Sequence, residues 1–93
     1  MRMARVDENQ KAIVIALRRL GASVQSLATV GKGCPDLIVG FRGVNYLLEC
    51  KNDSKVKSQR QLTPCQVDWH GSWVGAPVGV VENIDQAIAY ISN

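Results

Sequence analysis

The sequence predicts one α/β domain with a mixed sheet over residues 1–93, in the order helix, three strands, helix, strand, helix. Three observations carry that prediction. An apolar stripe with helical spacing lies near the N-terminus. Two short apolar runs, Asp36 to Phe41 and Val44 to Cys50, are separated only by Arg42-Gly43. A nearly complete helix-start pattern at Leu62-Thr63-Pro64-Cys65-Gln66-Val67 is followed by a further apolar run. A chain of 93 residues buries roughly 60–65 % of its unfolded surface, which suits one small core and not two.

Ile13, Ala16, Leu17 and Leu20 recur at i, i+3, i+4 and i+7, so the first helix runs from Asp7 to Leu20 and stops at Gly21. Ser23 to Leu27 reads as a short strand. Thr29 to Pro35 holds two glycines and a proline, and reads as a loop. The two apolar runs that follow form a β-hairpin, rich in Leu, Ile, Val and aromatic residues. Asn52 to Gln61 is polar, charged and aperiodic, and reads as an exposed loop. Thr63 then caps a second helix. Pro64 sits at its first position, Gln66 completes a capping box, and Leu62 and Val67 can staple its entry. That helix is expected to end near Trp73. Val78 to Val81 reads as a buried strand. Asn83 or Asp85 caps a last helix that turns Ala87, Ile88 and Ile91 inward. The crossover through the second helix places the last strand parallel to another.

Composition narrows the function classes. Apolar residues at 46 % and charged residues at 20 % describe an ordinary globular chain. No apolar run approaches the ~20 residues of a membrane span. Met1 to Gln10 lacks a signal-peptide stretch, so a cytosolic location is expected. Cys34, Cys50 and Cys65 form no Cys-x-x-Cys pair and His70 is the sole histidine, a poor set for structural zinc. The net charge of +3 permits nucleic-acid binding without establishing it. Its distribution says more. Lys51, Lys55, Lys57 and Arg60 are opposed locally only by Asp53.

The chemistry concentrates in the hairpin. If Arg42-Gly43 is a two-residue turn, Phe41 lies opposite Val44 and Asp36 opposite Glu49, with Cβ atoms roughly 4.5–5.5 Å apart. A three-residue turn would shift that register by one. Glu49 and Lys51 point to the same face of their strand. Two opposed carboxylates at the end of apolar strands repel and need compensation. Lys51 supplies one charge; a divalent cation supplies two and takes both carboxylates as oxygen ligands. Lys51 would then stand beside the attacking water, an arrangement for metal-assisted phosphodiester hydrolysis. The plainer alternative is a salt bridge from Asp36 or Glu49 to Lys51.

Pro35-Asp36 followed by Glu49-Cys50-Lys51 resembles the PD-(D/E)xK nuclease motif. Gly31-Lys32-Gly33-Cys34-Pro35-Asp36-Leu37-Ile38-Val39 resembles the G-x-PDLI segment of the virus-type replication-repair nuclease (VRR-NUC) domain. Leu62-Thr63-Pro64-Cys65-Gln66 is similar to that family's L-(S/T)-P-x-Q helix start, and Glu8 opens the first helix. The resemblance covers nearly the whole chain, with the segments in the expected order. It implies a restriction-endonuclease-like core, a mixed sheet flanked by helices in the order αβββαβα. It implies a metal site at Asp36, Glu49 and the backbone carbonyl of Cys50, with Lys51 as the catalytic lysine. It also implies Mg²⁺ dependence with Mn²⁺ as substitute, and roles at the site for Glu8 and Gln66. Stand-alone members of this size are similar to Holliday-junction resolvases acting as homodimers. They are typical of bacteriophage, which would place this chain in a host cytoplasm. The implied substrate is branched DNA, a four-way junction. The alternatives are a flap- or duplex-nicking nuclease and a non-catalytic nucleic-acid-binding module. An interaction protein whose hairpin acids form salt bridges is a further class.

The remaining candidates each have two roles open. Glu8 lies about 130° from the centre of the apolar stripe on a helix of 3.6 residues per turn. It can serve the site or the helix dipole, with Asp7 as the substitute acid. Gln66 can cap its helix, face the site, or both. Lys32, Lys55, Lys57 and Arg60 are candidate DNA contacts, or a solvated face. Trp69 and Trp73 are core or dimer contacts before base-stacking groups. Val74 and Tyr90 are spare apolar groups for a dimer. His70, with no candidate partner in the sequence, is expected at the surface and not as a general base.

Overall fold

Residues 7–93 are described by a computed structural model. The first six residues, part of the stretch read as lacking a signal peptide, lie outside them. The elements follow the expected order: α1 (Glu8–Arg19), β1 (Ser23–Ser26), β2 (Leu37–Phe41), β3 (Val44–Cys50), α2 (Pro64–Ser72), β4 (Gly79–Val81) and α3 (Ile84–Ser92). One four-stranded sheet runs β1-β2-β3-β4. Its first three strands are antiparallel, and β4 lies parallel to β3, as the crossover through α2 requires.

Hairpin register is set by the turn. Arg42 and Gly43 both adopt positive φ, at 51° and 78°. Positive φ at both central residues is what a tight two-residue connection of the I′ type needs. Phe41 therefore pairs with Val44, and the ladder runs back to Leu37 opposite Leu48. Asp36 precedes β2 and Glu49 follows Leu48, so the two carboxylates leave the same end of the hairpin.

The core lies between one face of the sheet and the pair α1 and α3. Ile13, Leu17, Leu37, Leu48 and Ala87 are fully buried there. Val14, Val24 and Tyr46 pack around that cluster. The α1 stripe differs from expectation at both ends. Gln10 is buried and extends it one turn upstream, whereas Leu20 is 43 % exposed, because it is the C-cap and lies beyond the packed turns. Ala22 N–H donates to Leu17 O at 3.0 Å across Gly21, which closes the helix at the predicted glycine. Asp7 is the N-cap and accepts from Asn9 N. Asn83, not Asp85, caps α3.

α2 is a different kind of element. Thr63 and Gln66 form the full capping box and Pro64 stands at the start. Yet no residue of α2 is buried. Val67, the residue read as stapling to Leu62, is 54 % exposed. Trp69 and Trp73 stack on each other at 4.7 Å and do not enter the core. Tyr90 is used within the chain: its hydroxyl donates to Pro77 O, and its ring lies where a Cβ on Gly79 would stand. The loop from Asn52 to Gln61 is not featureless. It contains a 3₁₀ turn, Lys57–Gln59, and Arg60 ties it to Glu82.

Candidate active site

Strand alternation puts Glu49 on the opposite face from the core residue Leu48, toward α2. Its side chain is only 2 % exposed. Glu49 Oε2 accepts from Gln66 Nε2 at 3.2 Å. Gln66 Oε1 accepts from Lys51 Nζ at 2.8 Å and from the Thr63 N–H at 2.9 Å. One glutamine thus joins Glu49, Lys51 and the helix cap, and both roles open in the sequence are present in its contacts. Asp36 is oriented from the other side, where its Oδ2 accepts from the Cys50 N–H at 2.7 Å. The Asp36 carbonyl accepts from Leu27 N–H at 2.7 Å, which pins the residue beside the sheet edge.

A glycine is required where the loop before Asp36 meets α2. Gly33 has φ +83°, and a Cβ there would run into the Cys65 carbonyl. That close passage brings the segment Gly31 to Asp36 against the start of the helix that carries Gln66. Sequence pattern and site geometry meet at this residue.

Electrostatics sharpen the picture. Burial, and secondarily the adjoining Asp36 carboxylate, push Glu49 up to about 8, although Lys51 pulls the other way. Without a cation the pair Asp36 and Glu49 therefore retains a proton near neutrality. Cys50 is pushed up to about 12 by burial and then by Asp36 and Glu49, so its thiol stays neutral. Glu49 Oε1 is buried with no hydrogen-bond partner. Two adjoining carboxylates, Asp36 just before β2 and Glu49 near the end of β3, suit a hard divalent cation with oxygen ligands. Asp36, Glu49 and the carbonyl of Cys50 are the residues that would hold it. Among the described residues no three His, Cys, Asp or Glu side chains converge as a closed cage. The remaining ligands would be water, as is usual for Mg²⁺.

Other expected residues are distributed unevenly. Glu8 is not brought to this group. Its side chain is 89 % exposed and pairs with Lys11 at 3.1 Å, because its angular position on α1 points it away from the sheet. Asp7 borders a cleft of about 340 Å³ with Cys50, Lys51, Asn52 and Lys55. Asn9, which the sequence did not single out, donates from Nδ2 to Lys51 O at 2.7 Å and Glu82 O at 2.9 Å. It ties the start of α1 to the strand ends that carry the site. Lys32, Lys55 and Lys57 are exposed. Arg60 is not free in the same way: its guanidinium sits 3.3 Å from both Glu82 oxygens and is largely covered.

His70 was expected at the surface, and the structure corrects that. Its side chain is 13 % exposed, and Nε2 stands 3.7 Å from Glu49 Oε1. Burial, then Lys51, lower its pKa from the ordinary histidine range. With Glu49 protonated and His70 neutral at pH 7, neither carries the charge an ion pair needs. The signal available in the sequence was the i, i+4 spacing from Gln66, which puts both on one face of α2.

No family profile and no curated protein matches the sequence. A solved structure described as a "VRR_NUC domain" does match. It is 30 % identical, superposes with a TM-score of 0.69, and the match covers 92 % of each chain. The chain belongs to the VRR-NUC family. It is thereby a nuclease domain, with the restriction-endonuclease-like mixed sheet flanked by helices that the motif order implied. The VRR-NUC assignment fits the local geometry, since the motif segments at residues 31–39, 49–51 and 62–66 meet in space. No described helix is long and apolar enough to cross a membrane.

Proposed function

We propose that this VRR-NUC chain is a divalent-metal-dependent, structure-selective DNA endonuclease, and that as a homodimer it resolves four-way junctions. What supports the catalytic part is one observation: Asp36, Glu49 and Lys51 meet at the end of the hairpin, with Gln66 bonded to both Glu49 and Lys51. Asp36, Glu49 and the Cys50 carbonyl would hold a cation, which would supply Lewis-acid neutralisation of phosphoryl charge and lower the pKa of water. Mg²⁺ suits these ligands, and Mn²⁺ can replace it.

The chain's own residues do the positioning. Gln66 Oε1 holds the Lys51 ammonium beside the carboxylates. From there Lys51 orients the attacking water and stabilises negative charge developing on the phosphoryl group. The Cys50 N–H fixes Asp36. Lys32, Lys55 and Lys57 contact phosphates without reading sequence. Resolution of a junction needs two symmetric cuts, one on each of two strands, and a two-fold dimer supplies two sites. Trp73, Val67 and Val74 are exposed apolar groups on and just after α2, available for such a contact.

The test incubates the purified chain with labelled four-way junction, flap, linear duplex and single strand, in Mg²⁺, Mn²⁺ or EDTA. Cleavage is expected with either ion and none with EDTA. Asp36→Asn, Glu49→Gln and Lys51→Ala should each lower the rate by at least about a hundredfold, the scale of losing one charge-stabilising group. The carboxylate variants should also weaken divalent binding; Lys51→Ala should not. Near-normal Mg²⁺-dependent activity in Asp36→Asn would rule the assignment out. Sedimentation at micromolar protein, with a supercoiled cruciform plasmid, tests the resolvase part. Paired cuts should linearise the plasmid. A monomer that yields only nicked circles would leave the nuclease and remove the resolvase.

A further inference from the structure

We infer that His70 is a positioning residue for Glu49, donating from Nε2 to Glu49 Oε1 when that carboxylate holds a cation. The inference rests on the metal-dependent nuclease reading above and adds a residue to its site.

The starting point is a pair of orphaned atoms. Glu49 Oε1 and His70 Nε2 are both buried and both without a hydrogen-bond partner. They face each other at 3.7 Å. Buried polar groups are rarely left unsatisfied, and each one left so is costly. A hydrogen bond of this type closes at about 2.7–3.2 Å, so a movement of about 0.5–1 Å satisfies both atoms. A carboxylate oxygen is a strong acceptor for an imidazole N–H, and such bonds are among the shorter ones. The ring donates from Nε2 in its neutral Nε2–H tautomer and when protonated, so the contact does not depend on the charge of His70.

The surrounding geometry prepares that contact. Gln66 and His70 stand one turn apart on the same face of α2. Gln66 Nε2 already donates to Glu49 Oε2. The capping box fixes the rotation of the helix at its first turn. α2 thus presents two donors to one carboxylate, an amide for Oε2 and an imidazole for Oε1. Partners of this sort orient a metal-binding carboxylate and change metal affinity by about 10–100-fold when removed. Direct ligation by His70 has less to recommend it, because no three His, Cys, Asp or Glu side chains converge on a point among the described residues.

The experiment measures Mn²⁺ and Mg²⁺ dissociation constants by calorimetry for the wild-type chain, His70→Phe, His70→Asn and His70→Gln. His70→Phe keeps a ring but has no donor, and His70→Asn has a donor too short to reach. Both should weaken either ion about tenfold. His70→Gln, whose amide reaches further, should recover most of that loss. Thermal midpoints in EDTA should stay within a few degrees of wild type. If His70→Phe fails to fold, His70→Asn takes its place. Wild-type binding with unchanged constants in these variants would overturn the inference and leave the nuclease reading intact. Equal weakening in His70→Gln would also overturn it. Pulsed EPR of bound Mn²⁺ gives an independent readout, since His70 is the sole histidine. Absence of imidazole ¹⁴N coupling is expected; its presence would make His70 a ligand and overturn the positioning role. Failure of the wild-type chain to bind either ion would remove both the inference and the reading beneath it.

Discussion

The two faces of the sheet meet helices of opposite character. α1 and α3 cover one face with fully buried aliphatic groups, Ile13, Leu17 and Ala87 among them. α2 meets the other face only beside Glu49 and buries none of its residues, yet it carries Gln66 and His70 to that buried carboxylate. The first contact is non-directional and scales with apolar area. The second is directional and depends on a few polar atoms at defined distances. Stability and site geometry are therefore largely separable in this chain. Substitutions on α1 should unfold it, whereas substitutions on α2 should leave a folded protein with an altered site.

The largest stability effect should come from the apolar face. Leu17→Ala removes a side chain that is 0 % exposed, and should cost about 2–5 kcal/mol. Val67→Ala, on α2, should stay within about 0.5 kcal/mol, as for most surface positions. Chemical denaturation of both variants checks this, and a comparable loss from Val67→Ala would break the comparison.

Thr63→Ala sits between the two cases. It removes the hydroxyl that accepts from Gln66 N, and should cost about 0.5–2 kcal/mol. Its effect on cleavage should exceed its effect on stability, because the cap also fixes Gln66 against Lys51 and Glu49. Paired melting and rate measurements separate these. A rate that falls only in proportion to the folded fraction would show that the cap acts through stability alone.

A smaller effect is expected on binding. Lys55 and Lys57 are exposed, while Arg60 is engaged by Glu82. Replacing the two lysines should flatten the plot of log K against log salt by about 1.8 units, at ~0.9 per phosphate contact. Adding Arg60→Ala should change the slope little further. An unchanged slope in the double variant would make this loop a solvated face.

The finest test is the pH dependence of stability in EDTA. Glu49 has its pKa raised to about 8 in the folded chain. Its contribution is fully present below the ordinary glutamate range and is lost as pH rises through about 8. His70, whose pKa is lowered, acts in the opposite direction and at lower pH. Stability should therefore fall between pH 6.5 and 8, a window above the ordinary histidine value of about 6.5. Glu49→Gln should flatten that fall. If the fall persists in Glu49→Gln, another group is responsible for it.

What was legible in the sequence was local or hairpin-bounded. The caps at Thr63 and Asn83 lie within three residues of the N–H groups they accept from. The register of β2 and β3 followed from a two-residue turn, and with it the shared end of Asp36 and Glu49. These features depend on chain connectivity over a few bonds, so residue type and spacing determine them. The order of the motif segments did the rest for the family. What only the tertiary structure decided involves residues far apart in the chain. Gln66 reaches Glu49 across 17 positions, and Asn9 reaches Glu82 across 73. Arg60 turning to Glu82 and His70 to Glu49 were equally open beforehand. The rotation of a helix about its axis is read from its apolar stripe, and α2 has none that is buried. Its orientation is set by polar contacts to residues of other elements, which is why the sequence alone left His70 at the surface.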